Sequence, residues 1–160
     1  MMDYIKGDIF FMCRIEYEDI VDRHEAILLY CLKNSDSFSV ITTVRRPYSK
    51  KRPIIEHEEV LNEWEPFLLD QVVGIREWPG TKTNEKHKMM NMYSSRDVRR
   101  NIAKFPNLFL AVKYNLPEDI CFYRNRNPWF VTTSHENNAF MDMGTDYDLE
   151  KIQLMYLVLF

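Results

Sequence analysis

Three of the four histidines stand directly before a glutamate, as His24-Glu25, His57-Glu58 and His135-Glu136. A histidine followed by glutamate is the start of a zinc-protease signature, in which a second histidine must follow four residues on to share the helix face. Those positions hold Leu28, Leu61 and Ala139, so the signature fails each time. Cys13, Cys31 and Cys121 are too far apart to pair as metal ligands in the usual spacing. The acidic run at 142–148 has Gly144 ahead of its Asp146 and Asp148, which does not match a calcium loop, and helix capping accounts for Thr145 and Asp148. With only four glycines and none in a glycine-rich run, there is no phosphate cradle. No metal and no cofactor is expected.

Nucleophilic chemistry has one candidate. Ser134-His135-Glu136 contains the residue types of a hydrolase triad, but neighbours in an extended strand point to opposite faces and cannot relay a proton among themselves. A hydrolase of unfamiliar type built on His135 therefore needs partners from elsewhere in the chain, and Ser134 has no nucleophile elbow. The balance points away from an enzyme.

Charge offers two binding surfaces. Glu56, Glu59 and Glu63 recur along one side of an expected helix, and carboxylates held on a rigid element can steer and hold a basic protein. Trp78 and Trp129 are expected at the surface, with Arg124 and Arg126 in a turn as further partner contacts. Arg45, Arg46, Tyr48, Lys50, Lys51 and Arg52 form a basic loop bounded by prolines, and Arg96, Arg99 and Arg100 lie on another expected helix. If these groups converged, they would hold phosphates by charge while Tyr48 stacked on a base, so a nucleic-acid interface is the alternative. Solvated loops and helix faces remain the commoner explanation of each patch.

The elements that must position these groups are read from periodicity. Apolar positions Ile20, Val21, His24, Ile27, Leu28 and Cys31 follow a helical stripe, residues 34–37 end it, and 38–44 reads as a strand. A rival pairing makes 26–32 and 38–44 a hairpin. A second helix runs from Ile54 until Pro66 stops it. Residues 72–78 and 88–93 form a hairpin around a polar loop, 79–87. Ser94 caps a third helix with Asp97 reaching back. After a strand at 108–114, the segments 120–123 and 129–133 flank an Asn/Pro turn as the central hairpin, Trp129, Val131 and Thr133 sharing one face. A last helix begins near Thr145. Residues 9–12 are weakly strand-like.

These elements predict an α+β fold, a single domain over 1–160 with a largely antiparallel β-sheet packed with about four helices. The length of 160 residues and 46% hydrophobic content suit one ordinary core. The odd number of cysteines in apolar surroundings suits reduced thiols, the first residues lack a signal peptide, and the apolar end at 154–160 is short of a membrane span, so a cytoplasmic, soluble protein with no membrane attachment is expected. A formal charge of −3 argues mildly against nucleic acid as the main partner. A small acidic protein without a catalytic constellation shares its type, though no motif, with toxin-neutralising immunity proteins. The leading expectation is a non-enzymatic module that binds, and conceivably inhibits, a basic nuclease-like protein.

Overall fold

The structure is a computed structural model and describes residues 12–16, 24–43, 61–98 and 117–142. Among the described residues seven strands form one antiparallel sheet: β1 (Met12–Glu16), β2 (Ser37–Thr43), β3 (Leu68–Trp78), β4 (Thr81–Tyr93), β5 (Glu118–Arg124), β6 (Asn127–Thr133) and β7 (Asn138–Asp142). Their order across the sheet is β1-β7-β6-β5-β2-β4-β3. The expectation of a sheet packed with about four helices is corrected by this arrangement. Among the described residues sheet dominates, and helix is confined to α1 (His24–Lys33) and a few short turns. The second and third expected helices survive only as residues 61–64 and 96–98 within the described chain, while 54–60, 99–116 and 143–160 lie outside it.

Why the sheet takes this form follows from its side chains. Opposite residues in neighbouring strands share a face, and the register lines up Met92, Phe38, Phe122, Phe130 and Met141 across five strands. α1 lays Ile27, Leu28, Cys31 and Leu32 on that face, and Trp64 joins them. Ring contacts run from Trp64 to Phe38 at 5.9 Å, on to Phe122 at 6.0 Å and to Phe130 at 6.1 Å. Each such ring removes enough apolar surface from water to contribute about 2 kcal/mol or more.

The helix at 24–33 excludes the rival hairpin of 26–32 with 38–44, since the polar residues 34–36 end a helix and not a strand. Asn34 Nδ2 donates to the Tyr30 carbonyl at 2.8 Å and Ser35 Oγ to that of Cys31, which satisfies the last turn's free acceptors. Pro66 does end the helical stretch, and Leu68 is already extended. At the next helix the cap is displaced by one residue. Ser95 Oγ, not Ser94, accepts the Val98 amide at 3.2 Å, whereas Ser94 Oγ donates to the Leu32 carbonyl at the end of α1.

The two hairpins differ from their sequence-based outlines. The loop expected over 79–87 is a two-residue turn, Pro79-Gly80, so β3 and β4 are eleven and thirteen residues long. In the central hairpin, Asn125 and Arg126 both have positive φ, 50° and 68°, the backbone of a type I′ turn. A bulge at Trp129, between the Phe122–Phe130 and Tyr123–Pro128 pairs, breaks the expected alternation. Trp129 therefore joins Phe130 on the core side, edge-on to Tyr30 at 6.2 Å, and leaves Val131 and Thr133 on the other.

Candidate functional site

Burial decides which expected residues are available to a partner. Trp129 is buried, with its Nε1 donating to Ser35 Oγ at 2.8 Å. Arg124 stacks its guanidinium 3.7 Å from the Trp129 ring centre and donates Nε to the Asn34 carbonyl at 2.7 Å. A cation there complements the carboxyl end of α1, so Arg124 holds the helix on the hairpin. Of the two arginines, Arg126 is the exposed one. Trp78, also expected outside, is 9% exposed. Both tryptophans became interior for the same reason: bulges and strand bending turn their rings toward packed surfaces that alternation alone does not reveal.

Trp78 leads to a polar cluster that sequence reasoning missed. Asp119, with φ of 49° and 2% exposure, receives Trp78 Nε1 at 2.9 Å and Thr81 Oγ1 at 3.1 Å on one oxygen, and the Ser134 amide at 2.7 Å on the other. Its own amide donates to Ser134 Oγ at 3.1 Å. A buried carboxylate is tolerated where donors surround it in this way. The result is a clasp: Trp78 and Thr81 flank the tip of the long hairpin, while Asp119 and Ser134 belong to the ends of β5 and β6. Gly80 sits so close to β6 that a Cβ on it would lie 2.8 Å from Val131 Cγ1, and its φ of 84° favours glycine as well. The long hairpin bends at Gly74, another residue with positive φ, where its pairing with β4 slips. His87 packs edge-on against Trp78 at 5.1 Å under that bend.

Ser134 is thus committed to Asp119, and His135 faces the other way. His135 is exposed, with Nε2 3.8 Å from the equally exposed Glu136 carboxylate. The triad suggested by the Ser-His-Glu sequence does not assemble. Nearby, Cys121 and Tyr123 form a second interior polar group, with Tyr123 and Ser39 oxygens 3.0 Å apart. Burial pushes the Cys121 thiol up to about 12, Tyr123 is raised chiefly by burial too, and burial likewise raises Cys31. Neutral thiols of this kind are poor nucleophiles.

The exposed large apolar side chains among the described residues gather at one end of the long hairpin, on both faces of β3. Leu69 and Val73 are 56% and 67% exposed, with Val72 and Tyr93 also outside. They lie at the root of the long hairpin, where Phe67 packs edge-on to Tyr93 at 5.7 Å and Asp70 accepts from Asn91 Nδ2 at 2.6 Å. Glu63, Glu65 and Asp70 are exposed around them, and residues 61–75 contain no lysine, arginine or histidine. Of the expected acidic stripe, Glu63 falls here, while Glu56 and Glu59 lie outside the described residues. So do Arg45, Arg46, Tyr48, Lys50, Lys51, Arg52, Arg99 and Arg100; Arg96 is described and exposed. A signal for this surface existed in the lack of any base across 61–75, but which of its apolar residues face water depended on the bulges.

No helix among the described residues is long and apolar enough to cross a membrane. Compared with known proteins, the chain matches no family model, no curated protein and no solved structure.

Proposed function

We propose that this protein is a non-enzymatic binding module whose partner is a basic protein. The observation that carries the reading is the exposure of Leu69, Val72 and Val73 on β3, with Tyr93 on neighbouring β4, together with the exposed carboxylates of Glu63, Glu65 and Asp70 in a segment, 61–75, that contains no lysine, arginine or histidine. Apolar side chains supply contact area when water leaves them, and carboxylates nearby speed encounter with a cationic surface. Solvent-facing apolar groups clustered on one element mark interaction surfaces more often than scattered ones do. The acidic contribution expected from the 56–63 helix extends to this patch through Glu63, while the aromatic contribution comes from Tyr93 in place of the interior tryptophans.

Inhibition of a nuclease-like toxin, in the manner of an immunity protein, is the specific form of this reading, because such a target presents the cationic surface that an acidic patch complements. A reducing, cytoplasmic setting fits the free buried thiols of Cys31 and Cys121. The test is affinity capture from the native host using the intact chain, followed by the same capture with Asp70→Lys and Glu63→Lys. A stoichiometric basic partner that is lost with both substitutions supports the proposal. Capture of no partner, or of one indifferent to both substitutions, overturns it.

A further inference from the structure

Leu69, Val72 and Val73 belong to an edge strand, and that edge suggests how a partner attaches. β3 is the last strand of the sheet, so on the side away from β4 its backbone N–H and C=O groups face no strand among the described residues. Its pairing is irregular at Leu69 and again at Gly74, but between them residues 70–73 pair one for one with Asn91, Met90, Met89 and Lys88. Irregularities of that kind prevent a long edge from zipping onto another sheet, and they leave a short regular template of four residues. Within it, Asp70 and Val72 share one face, and Gln71 and Val73 the other.

We infer that residues 70–73 of β3 receive one short extended segment of the basic partner, which adds to the sheet as a further strand. This rests on the protein-binding reading above and supplies its mode. The segment alternates: basic side chains lie on the face of Asp70, and β-branched or other apolar side chains cover Val73 on the opposite face. Backbone hydrogen bonds give such a complex its register, and the two faces give it selectivity. Charge complementarity favours this occupant over a second copy of the chain, because a copy pairing through its own residues 70–73 brings no cation to Asp70.

The probe is a fluorescein-labelled hexapeptide of alternating arginine and valine, titrated against the full chain by fluorescence anisotropy. Three comparisons accompany it: a peptide with N-methyl groups on alternate amides, an alternating glutamate and valine peptide, and the chain variants Asp70→Lys and Val73→Lys. Both substitutions lie at exposed positions, and circular dichroism verifies that the fold is kept. The expected result is saturable binding of the arginine peptide, weakened about tenfold or more by N-methylation and by each variant, with the glutamate peptide weaker still. If the N-methylated peptide binds equally well and Val73→Lys has no effect, attachment is by charge alone; strand addition is then overturned while the protein-binding reading stands. Absence of arginine-peptide binding also overturns strand addition. Self-association of the free chain that Val73→Lys abolishes assigns the edge to a second copy, which overturns it as well. Failure of the broader reading shows separately, as the absence of any captured host protein.

Discussion

The two hairpins of the sheet share a plan and have opposite fates. β5–β6 turns through Asn125-Arg126 and is buried along almost all of Asp119–Phe122 and Trp129–Thr133, on both faces. β3–β4 turns through Pro79-Gly80, is nearly twice as long, and leaves most of β3 in water. What separates them is neighbours. The first lies mid-sheet, with β2 on one side, β7 on the other and α1 across it. The second has β2 beside β4 and nothing described beyond β3. A central hairpin becomes the frame, and an edge hairpin, joined to the sheet along β4 and clasped at its tip, becomes an arm whose outer flank faces no strand among the described residues.

The sharpest way to break that contrast is to truncate one apolar side chain in each region. Phe122→Ala empties a fully buried site among Phe38 and Phe130, and the expected loss is about 3–5 kcal/mol in denaturant unfolding. Val73→Ala on the arm should change the same midpoint by less than about 0.5 kcal/mol. A loss at Val73 approaching that at Phe122 would mean that β3 is as integral as β5.

Next comes the clasp. Asp119→Ala leaves Trp78 Nε1, Thr81 Oγ1 and the Ser134 amide without their shared acceptor, and is expected to cost about 3 kcal/mol, with Trp78 fluorescence changing as its indole loses that partner. Gly80→Ala probes the same contact sterically. The new methyl collides with Val131 in a backbone conformation that alanine adopts poorly, and the expected loss is about 1–3 kcal/mol. If neither variant is destabilised, the tip is not fastened to β6.

Only part of this was legible beforehand. The central hairpin could be read because its Val, Ile, Thr and aromatic content sits on either side of a polar turn, and α1 because its apolar residues recur at helical spacing. The length of β4 could not: Thr83, Asn84, Glu85 and Lys86 look like a loop, and they fall in the register gap between the Ile75–His87 and Glu77–Lys82 pairs, so the strand is carried by pairing on either side of them. β7 was invisible for a related reason. Five residues around Ala139 and Phe140 carry little pattern of their own, and their pairing with β6 and β1 defines them. For the candidate site, residue type showed that Trp78, Trp129 and Arg124 matter but assigned them outward, whereas the bulge at Trp129 and the fold-back of the tip place them inside. The Asp119 cluster is held by a hydrogen bond between residues 41 apart in sequence, so no local signal announces it.

The smallest expected effect is in the interior thiol chemistry. Cys121 has its pKa raised by burial from 9.0 to about 12, so the folded chain holds that proton more tightly than the unfolded one. This contribution to stability is intact below about pH 9 and is lost as the pH rises toward about 12. Cys121→Ser should flatten that alkaline decline modestly. A thiol reagent at pH 8 should modify neither Cys121 nor Cys31 until the protein is unfolded.

The account depends most on β3 having an open outer edge, and residue-resolved amide hydrogen exchange of the free protein tests that directly. The prediction is that the amides of Cys121, Phe122, Phe130 and Val131 exchange only through global unfolding, while those of residues 70–73 that point away from β4 exchange orders of magnitude faster. Equal protection in both places would show that the edge is already covered, and would contradict the arm as a binding surface.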